Sequence, residues 1–378
     1  MRKILITFII SMFLIYPNIL YADSNEISLI KGFIVSSSDK IIDLKYDCSK
    51  NIFIKNSELN ISEKSGRPAY AIKIKNDIFV VKNNTLTKYD ENFNKIKEKI
   101  YSYFGTITSD SKNIFLSADT SFICLSTDLN ELSRVKYKVN SDAHKIMIFD
   151  DNAYIIGNFN HPMFAYVASI KNLDNISITD TYKFDNWNGY SFDQCLNVKN
   201  NQWLIFNSFS LELAKGQLIQ LINIGTKNDK INTENFYYEK RYIESRRFPT
   251  EPIVINNPPS ISDNKYVILS ASHSDSQWLL IMDINNDAYI AKINYISEKF
   301  SLTEIKKINI KFDKSHYYDA FSNKNLLGKR MNVVKNKIVI ILCDKNIIKI
   351  YNLDTMNEIG MIYLDNYNIS NVSDLYVY

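Results

Sequence analysis

Short apolar runs recur along the chain after residue 25. Examples are AYAIKIK (69–75), DIFVVK (77–82), NIFLSA (113–118), KIMIFD (145–150), AYIIGN (153–158), QWLIFN (202–207), KYVILS (265–270), WLLIMD (278–283) and KIVIIL (337–342). They are rich in β-branched and aromatic residues and bounded by Asn, Asp, Ser and Lys clusters. A helical period of 3.6 is hard to find anywhere among them. This pattern predicts many short antiparallel strands joined by tight turns. The chain has only nine glycines. Asn and Asp must then serve many turns, because they tolerate left-handed backbone and bond to their own main chain.

A longer period overlies the strands. LTKYDENFNKIKEKI (86–100), ICLSTDLNELSRVKY (123–137), LLIMDINNDAYIAKI (279–293) and IKIYNLDTMNEIGMI (348–362) share one plan: an apolar strand, an Asp/Asn turn, and a second strand. Each follows another strand, so the repeat runs to roughly 40–50 residues, the period of a four-stranded propeller blade. The expected blades are about 66–103, 104–141, 142–186, 187–248, 258–314 and 318–366. Residues 25–62 hold further strands, and NVSDLYVY (371–378) reads as a lone inner strand. Pairing it with the N-terminal strands would complete a seventh blade and leave no open edge. The expectation is an all-β, seven-bladed β-propeller over residues 23–378, closed by its two ends. A six-bladed ring and a pair of β-sandwiches are the alternatives.

The strand–turn–strand units, above all IKIYNLDTMNEIG, resemble the repeats of WD40-, YVTN- and quinoprotein-like propellers. The resemblance covers most of the chain after residue 23. The GH…WD pairs of WD40 repeats, the paired glycines of kelch blades and the AxTGxxxW motif of quinoprotein blades are absent. SHSDSQW (272–278) lacks the glycine and the spacing of a sialidase Asp-box. The resemblance therefore implies architecture and transfers no functional residue.

The first 22 residues, MRKILITFIISMFLIYPNILYA, carry Arg2 and Lys3, an apolar stretch from Ile4 to Tyr16, Pro17, and a small residue before Asp23. This is a signal-peptide pattern with cleavage expected after Ala22. No later apolar run approaches the roughly 18–20 residues that span a bilayer. A periplasmic or secreted protein with no membrane span after cleavage is expected. The net charge of +4 includes the two leader cations. No basic stripe marks a nucleic-acid partner. Cys48, Cys124, Cys195 and Cys343 are far apart and form no CxxC. An exported chain permits one disulfide, but SFICLS and VIILCD mark Cys124 and Cys343 as buried thiols. His144, His161, His273 and His316 show no metal spacing. DINND (283–287) starts like a calcium loop but continues with Ala288 and Asn294 where Gly and Glu belong, so it reads as a hairpin turn. SHSD (272–275) reads as a polar hairpin loop. No metal and no cofactor are implied.

The chain has seven arginines, three of them in FYYEKRYIESRRFPTEPIVINNPP (236–259), together with four of its seven prolines. Proline fixes φ and removes a donor, so this stretch reads as a stiff connection between blades. On the blade map Arg67, Arg246, Arg247 and Arg330 all precede inner strands. Trp187, Tyr190 and Tyr318 hold comparable positions. Gathered on one rim, they would grip carboxylate, sulfate or phosphate through bidentate forks and offer stacking surface. The bland alternative has each arginine bracing its own loop against a neighbour such as Glu244 or Glu251. The expected function is a non-enzymatic scaffold that binds a partner protein or an anionic glycan. A glycan-active hydrolase or lyase at the channel mouth, and a structural subunit of a surface assembly, are the alternatives.

Overall fold

The computed structural model describes residues 24–37, 39–61, 69–110, 112–137, 143, 145–149, 151–157, 163–184, 194–199, 202–206, 219–223, 234–237, 265–273, 276–283, 287–296, 299–311, 331–343, 346–370 and 372–378. Its strands in chain order begin with β1 (Gly32–Ser37), β2 (Lys40–Asp47) and β3 (Ile52–Asn60). A sheet follows from β4 (Tyr70–Ile74), β5 (Asp77–Lys82), β6 (Thr85–Tyr89) and β7 (Lys95–Ile100). The next comprises β8 (Phe104–Ser109), β9 (Asn113–Ala118), β10 (Ser121–Ser126) and β11 (Glu131–Lys136). Then come β12 (Lys145–Phe149), β13 (Asn152–Gly157), β14 (Met163–Ser169) and β15 (Ser177–Phe184). They are followed by β16 (Gln194–Lys199), β17 (Gln202–Phe206), β18 (Ile219–Asn223) and β19 (Glu234–Tyr237). The last full groups are β20 (Lys265–His273), β21 (Ser276–Asp283), β22 (Asp287–Ile296) and β23 (Lys299–Lys311), then β24 (Met331–Val334), β25 (Ile338–Cys343), β26 (Ile347–Asn352) and β27 (Glu358–Tyr363). The chain finishes with β28 (Val372–Val377).

These strands form seven four-stranded sheets, six of them simple meanders in chain order. One meander falls inside each of the six windows expected from the repeat. The remaining sheet has the order β28-β1-β2-β3, with β28 antiparallel to β1 from Phe33↔Val377 to Ser37↔Val372. The two ends of the chain therefore share a sheet. In all seven sheets the third and fourth strands are offset by a register shift, at Asp43/Leu44, Lys88/Tyr89, Cys124/Leu125, Val167/Ala168, Ile219/Gln220, Asp287/Ala288 with Ile290/Lys292, and Ile350/Tyr351. A bulge raises local twist, so each sheet turns its outermost strand away from the rest.

Burial follows strand position. β1 and β25 are buried along their whole length, whereas the outermost β3 and β7 are largely exposed. β5, β9 and β25 are continuous buried apolar runs because both of their faces meet a neighbouring sheet. Ile34 and Ile41 pack on Ala71, Ile78 and Val80 of the next sheet. Ile72, Phe79 and Leu86 pack on Leu116, Ile123 and Leu125. Phe115 and Phe122 pack on Ala153, Ile155 and Tyr166. Trp278, Leu280 and Ile290 pack on Val339, Ile341 and Tyr351, and the opposite side of that sheet meets Phe33, Val35 and Leu375.

The repeated turn has a shared design. Asp90, Ser126 and Asn352 each accept two backbone N–H bonds on a side-chain oxygen, from Asn92 and Asn94, from Asp128 and Asn130, and from Asp354 and Thr355. The turns then place Phe93, Leu129 and Met356 at φ of 61°, 58° and 58°. Left-handed backbone costs an L-residue about 1–2 kcal/mol. Burying a large apolar side chain returns about 1.5–3 kcal/mol, and these three are 8%, 2% and 8% exposed. Each turn also rests on the preceding sheet: Lys45 bonds Glu91 at 3.2 Å, Lys97 bonds the Asp128 carbonyl at 2.8 Å, and Lys306 bonds the Asp354 carbonyl at 2.6 Å. The unit at 279–293 differs. It joins the second strand β21 to the third strand β22, whereas the other three join the third strand to the fourth. Asn and Asp supply many of the left-handed turn positions, as expected: Asn51, Asn83, Asp119, Asn336, Asn346 and Asn368 all have positive φ.

Candidate functional site

Arg67, Arg246, Arg247, Arg330, Trp187, Tyr190 and Tyr318 all lie outside the described residues. The strands that flank them in sequence are described. Arg67 falls between β3 and β4, Trp187 and Tyr190 between β15 and β16, Arg246 and Arg247 between β19 and β20, and Tyr318 and Arg330 between β23 and β24. Every one of these segments leads from the fourth strand of one sheet to the first strand of the next.

The first strands come together. β28 packs beside β4, β4 beside β8, β8 beside β12, and β24 beside both β20 and β28. A pocket of about 140 Å³ opens among β28, β4 and β8. Tyr70, Phe104 and Tyr376 provide aromatic surface, Thr106, Thr108 and Ser109 provide hydroxyls, and Asp374 provides a carboxylate. Ile72, Ile107 and Gly105 complete the lining. Gly105 is required there, because a Cβ would stand 2.7 Å from the Ala143 carbonyl.

β28 sets the polar part of this pocket. Asp374 and Tyr376 are two apart and so project to one face, while Leu375 between them enters the core behind. Asp374 is 7% exposed. The Tyr376 hydroxyl donates to the Lys73 carbonyl at 3.1 Å. Burial pushes the Tyr376 phenol up, a hydrogen bond with Ser109 pulls it back, and the Asp374 carboxylate adds an upward push. β28 was expected as an inner strand, but the pocket on it was not. An acid inside VSDLYV and alternating hydroxyls in FGTITS were the only signals.

Beside the pocket lies a second buried polar group. Lys73 Nζ sits 3.0 Å from Asp43 Oδ2, with side chains 4% and 0% exposed. Asp43 also accepts from Asn56 at 3.1 Å and from the Tyr378 hydroxyl, and the ammonium stands 4.1 Å over the Tyr378 ring. This group joins β2, β4 and the end of the chain. It faces β2, away from the pocket lining.

The remaining sequence candidates resolve simply. Ser272 and His273 of SHSD end β20, and His273 pairs with Ser276 of β21, while Ser274 and Asp275 lie outside the described residues. The Asp287 carboxylate accepts from Lys307 at 2.6 Å. Among the described residues no group of three His, Cys, Asp or Glu is placed to hold a metal. Cys124 and Cys343 are buried free thiols and Cys48 is an exposed one. Burial pushes the Cys124 thiol up to about 12. Among the described residues no helix is long and apolar enough to cross a membrane.

Twisted four-stranded sheets stacked face to face, with their first strands side by side, define a β-propeller architecture. The expected likeness to WD40-, YVTN- and quinoprotein-like propellers holds at that level. A protein from Lactobacillus plantarum is similar over 92% of this chain and 99% of its own, at 8% identity and a TM-score of 0.58. The periplasmic gluconolactonase of Pseudomonas aeruginosa is similar over 92% of this chain and 98% of its own, at 10% identity and a TM-score of 0.53. No protein-family model and no curated protein sequence matches the chain.

Proposed function

We propose that the chain is an exported, non-enzymatic binding scaffold: a single seven-bladed propeller, closed by β28 on β1, that holds a partner protein or an anionic glycan on one rim. One observation carries this reading. All four candidate arginines and all three candidate aromatics belong to fourth-to-first connections, and in a ring of antiparallel meanders such connections open on one face. Arg67, Arg246, Arg247 and Arg330 then share a rim with Trp187, Tyr190 and Tyr318. Guanidinium forks grip carboxylate, sulfate or phosphate in a way lysine does not reproduce. Fold alone does not separate binding from catalysis. A glycosidase of the usual kind uses two carboxylates; among the described residues the pocket lining holds one, Asp374. The signal-peptide pattern of residues 1–22 supports export to the periplasm or beyond.

An array of sulfated and carboxylated glycans tests the reading. Binding that Arg246→Ala and Arg330→Ala each weaken by about ten-fold is expected, from a charge-assisted hydrogen bond of about 1.5–3 kcal/mol. Binding indifferent to both substitutions, or confined to neutral glycans, would overturn the rim.

A further inference from the structure

The strand β8 does not read like β4 beside it. β4 is buried from Ala71 to Ile74, whereas in β8 only Thr106 is buried. Its sequence, FGTITS, carries hydroxyls instead of an unbroken apolar run. Gly105 sets its position. The β8–β9 register shifts between Phe104 and Thr106, and a Cβ on Gly105 would stand 2.7 Å from the Ala143 carbonyl. A bulge of this kind re-aims side chains. β8 thus sits tight against the segment that leads into the next sheet, and the pocket of about 140 Å³ lies towards β4 and β28. Its aromatic walls are held in place. Tyr70, Phe104 and Tyr376 are half-buried and packed against the core between the two sheets. Phe104 meets the Tyr101 ring edge-on at 5.8 Å, and the Tyr376 hydroxyl is tied to the Lys73 carbonyl at 3.1 Å. Walls already fixed need little further ordering on binding.

Size and polarity narrow the occupant. A cavity of about 150 Å³ is enough to take benzene, so this pocket has room for one six-membered ring. The hydroxyls of Thr106 and Thr108 both donate and accept, which favours a ring bearing hydroxyls over a bare hydrocarbon. Aromatic faces are electron-rich and suit the C–H face of a saturated ring. Asp374 already interacts within the protein and asks for no counter-ion. A carboxylate has about four lone-pair sites, so further hydroxyls can donate to it, while a second carboxylate is repelled. We propose that this pocket binds one uncharged pyranose ring, with a C–H face on the aromatic walls and hydroxyls on Thr106, Thr108 and Asp374. The proposal does not rest on the arginine rim, which selects acidic groups, and either can fail without the other.

Saturation-transfer NMR on the full chain with isotope-labelled glucose, galactose and mannose tests this. Each labelled hexose is competed with its unlabelled form and with its uronate, so that acid binding on the rim does not register. At least one hexose binds, and its uronate displaces it at least about ten-fold less well than the hexose itself, because the uronate carboxylate meets Asp374. Thr106→Val and Thr108→Val each weaken hexose binding about two- to ten-fold, the range for one neutral hydrogen bond. Phe104→Leu weakens it several-fold through loss of the ring face. Circular dichroism stays native in all three; should Thr106→Val fail to fold, Thr108→Val, at a half-buried position, carries the test. No binding of any hexose, equal displacement by the uronate, or full affinity in the folded variants overturns the proposal.

Discussion

The buried pair between Lys73 and Asp43 is the sharpest place to perturb this molecule. Lys73→Met leaves the Asp43 carboxylate at 0% exposure with only Asn56 and the Tyr378 hydroxyl as donors. Asp43→Leu leaves an ammonium at 4% exposure over the Tyr378 ring alone. Removing one partner of a buried pair costs about 3–5 kcal/mol, chiefly from stranding the other charge. Each single variant should therefore lose about that much. The double variant Asp43→Leu/Lys73→Met strands no charge. It loses the acceptor of Asn56 and Tyr378, at about 1 kcal/mol for each hydrogen bond, and gains apolar contact. Its expected cost is about 1–3 kcal/mol, so the two substitutions couple by about 3 kcal/mol or more. Urea unfolding followed by far-ultraviolet circular dichroism measures all four corners of the cycle. Single variants costing under about 1 kcal/mol, or costs that simply add, would refute the claim that β2, β4 and the chain end are tied by this pair.

Other expectations follow from the same geometry. Gly32→Ala places a Cβ 2.4 Å from the Leu44 carbonyl and 2.5 Å from the Tyr378 hydroxyl; a loss of about 1–3 kcal/mol is expected from overpacking, and Tyr378→Leu should not rescue it in thermal melts, because the carbonyl clash remains. Leu129→Gly relieves left-handed strain but empties a buried site, so a net loss of about 1–3 kcal/mol is expected by urea titration. Arg134 and Lys99 hold the Glu131 carboxyl down at about 2. A depressed carboxyl contributes stability above its unfolded value and loses it as pH falls towards about 2, so Glu131→Gln should flatten the stability profile between about pH 4.5 and 2. Alkylation at pH 8 followed by mass spectrometry should label Cys48 quickly and Cys124 and Cys343 only on unfolding, since burial keeps the reagent from both thiols.

Most of the architecture could be read from the sequence because each sheet carries its own local signals. Type and spacing of strands, Asn-rich turns and the Asp/Ser/Asn-led turn with its buried apolar residue recur in chain order. The 279–293 unit misled for a physical reason: DINND has the composition of the repeated turn but joins a different pair of strands. The polar features of the centre were far less legible. Asp43 in KIIDLKYD, Lys73 in YAIKI and Asp374 in VSDLYV are buried charges within strands, and Asp43 and Lys73 meet only across two sheets. Only the three-dimensional neighbour explains such a residue. A rule that questions every charge at the middle of an inner strand would have found all three.

The pairing of β28 with β1 also has a kinetic meaning. Tyr378 and Asp43, joined across this sheet, are 335 positions apart, whereas strands within a meander are separated by a short turn. Loop-closure entropy grows as (3/2)RT ln n, so joining the ends directly costs about 2 kcal/mol more than closing a loop of about 40 residues. That is roughly a 25-fold handicap in rate for an open chain. The handicap vanishes once the six intervening meanders have formed and shortened the path between the ends. The last sheet thus reports on the others: it can complete itself quickly only in a chain that has already assembled everything between.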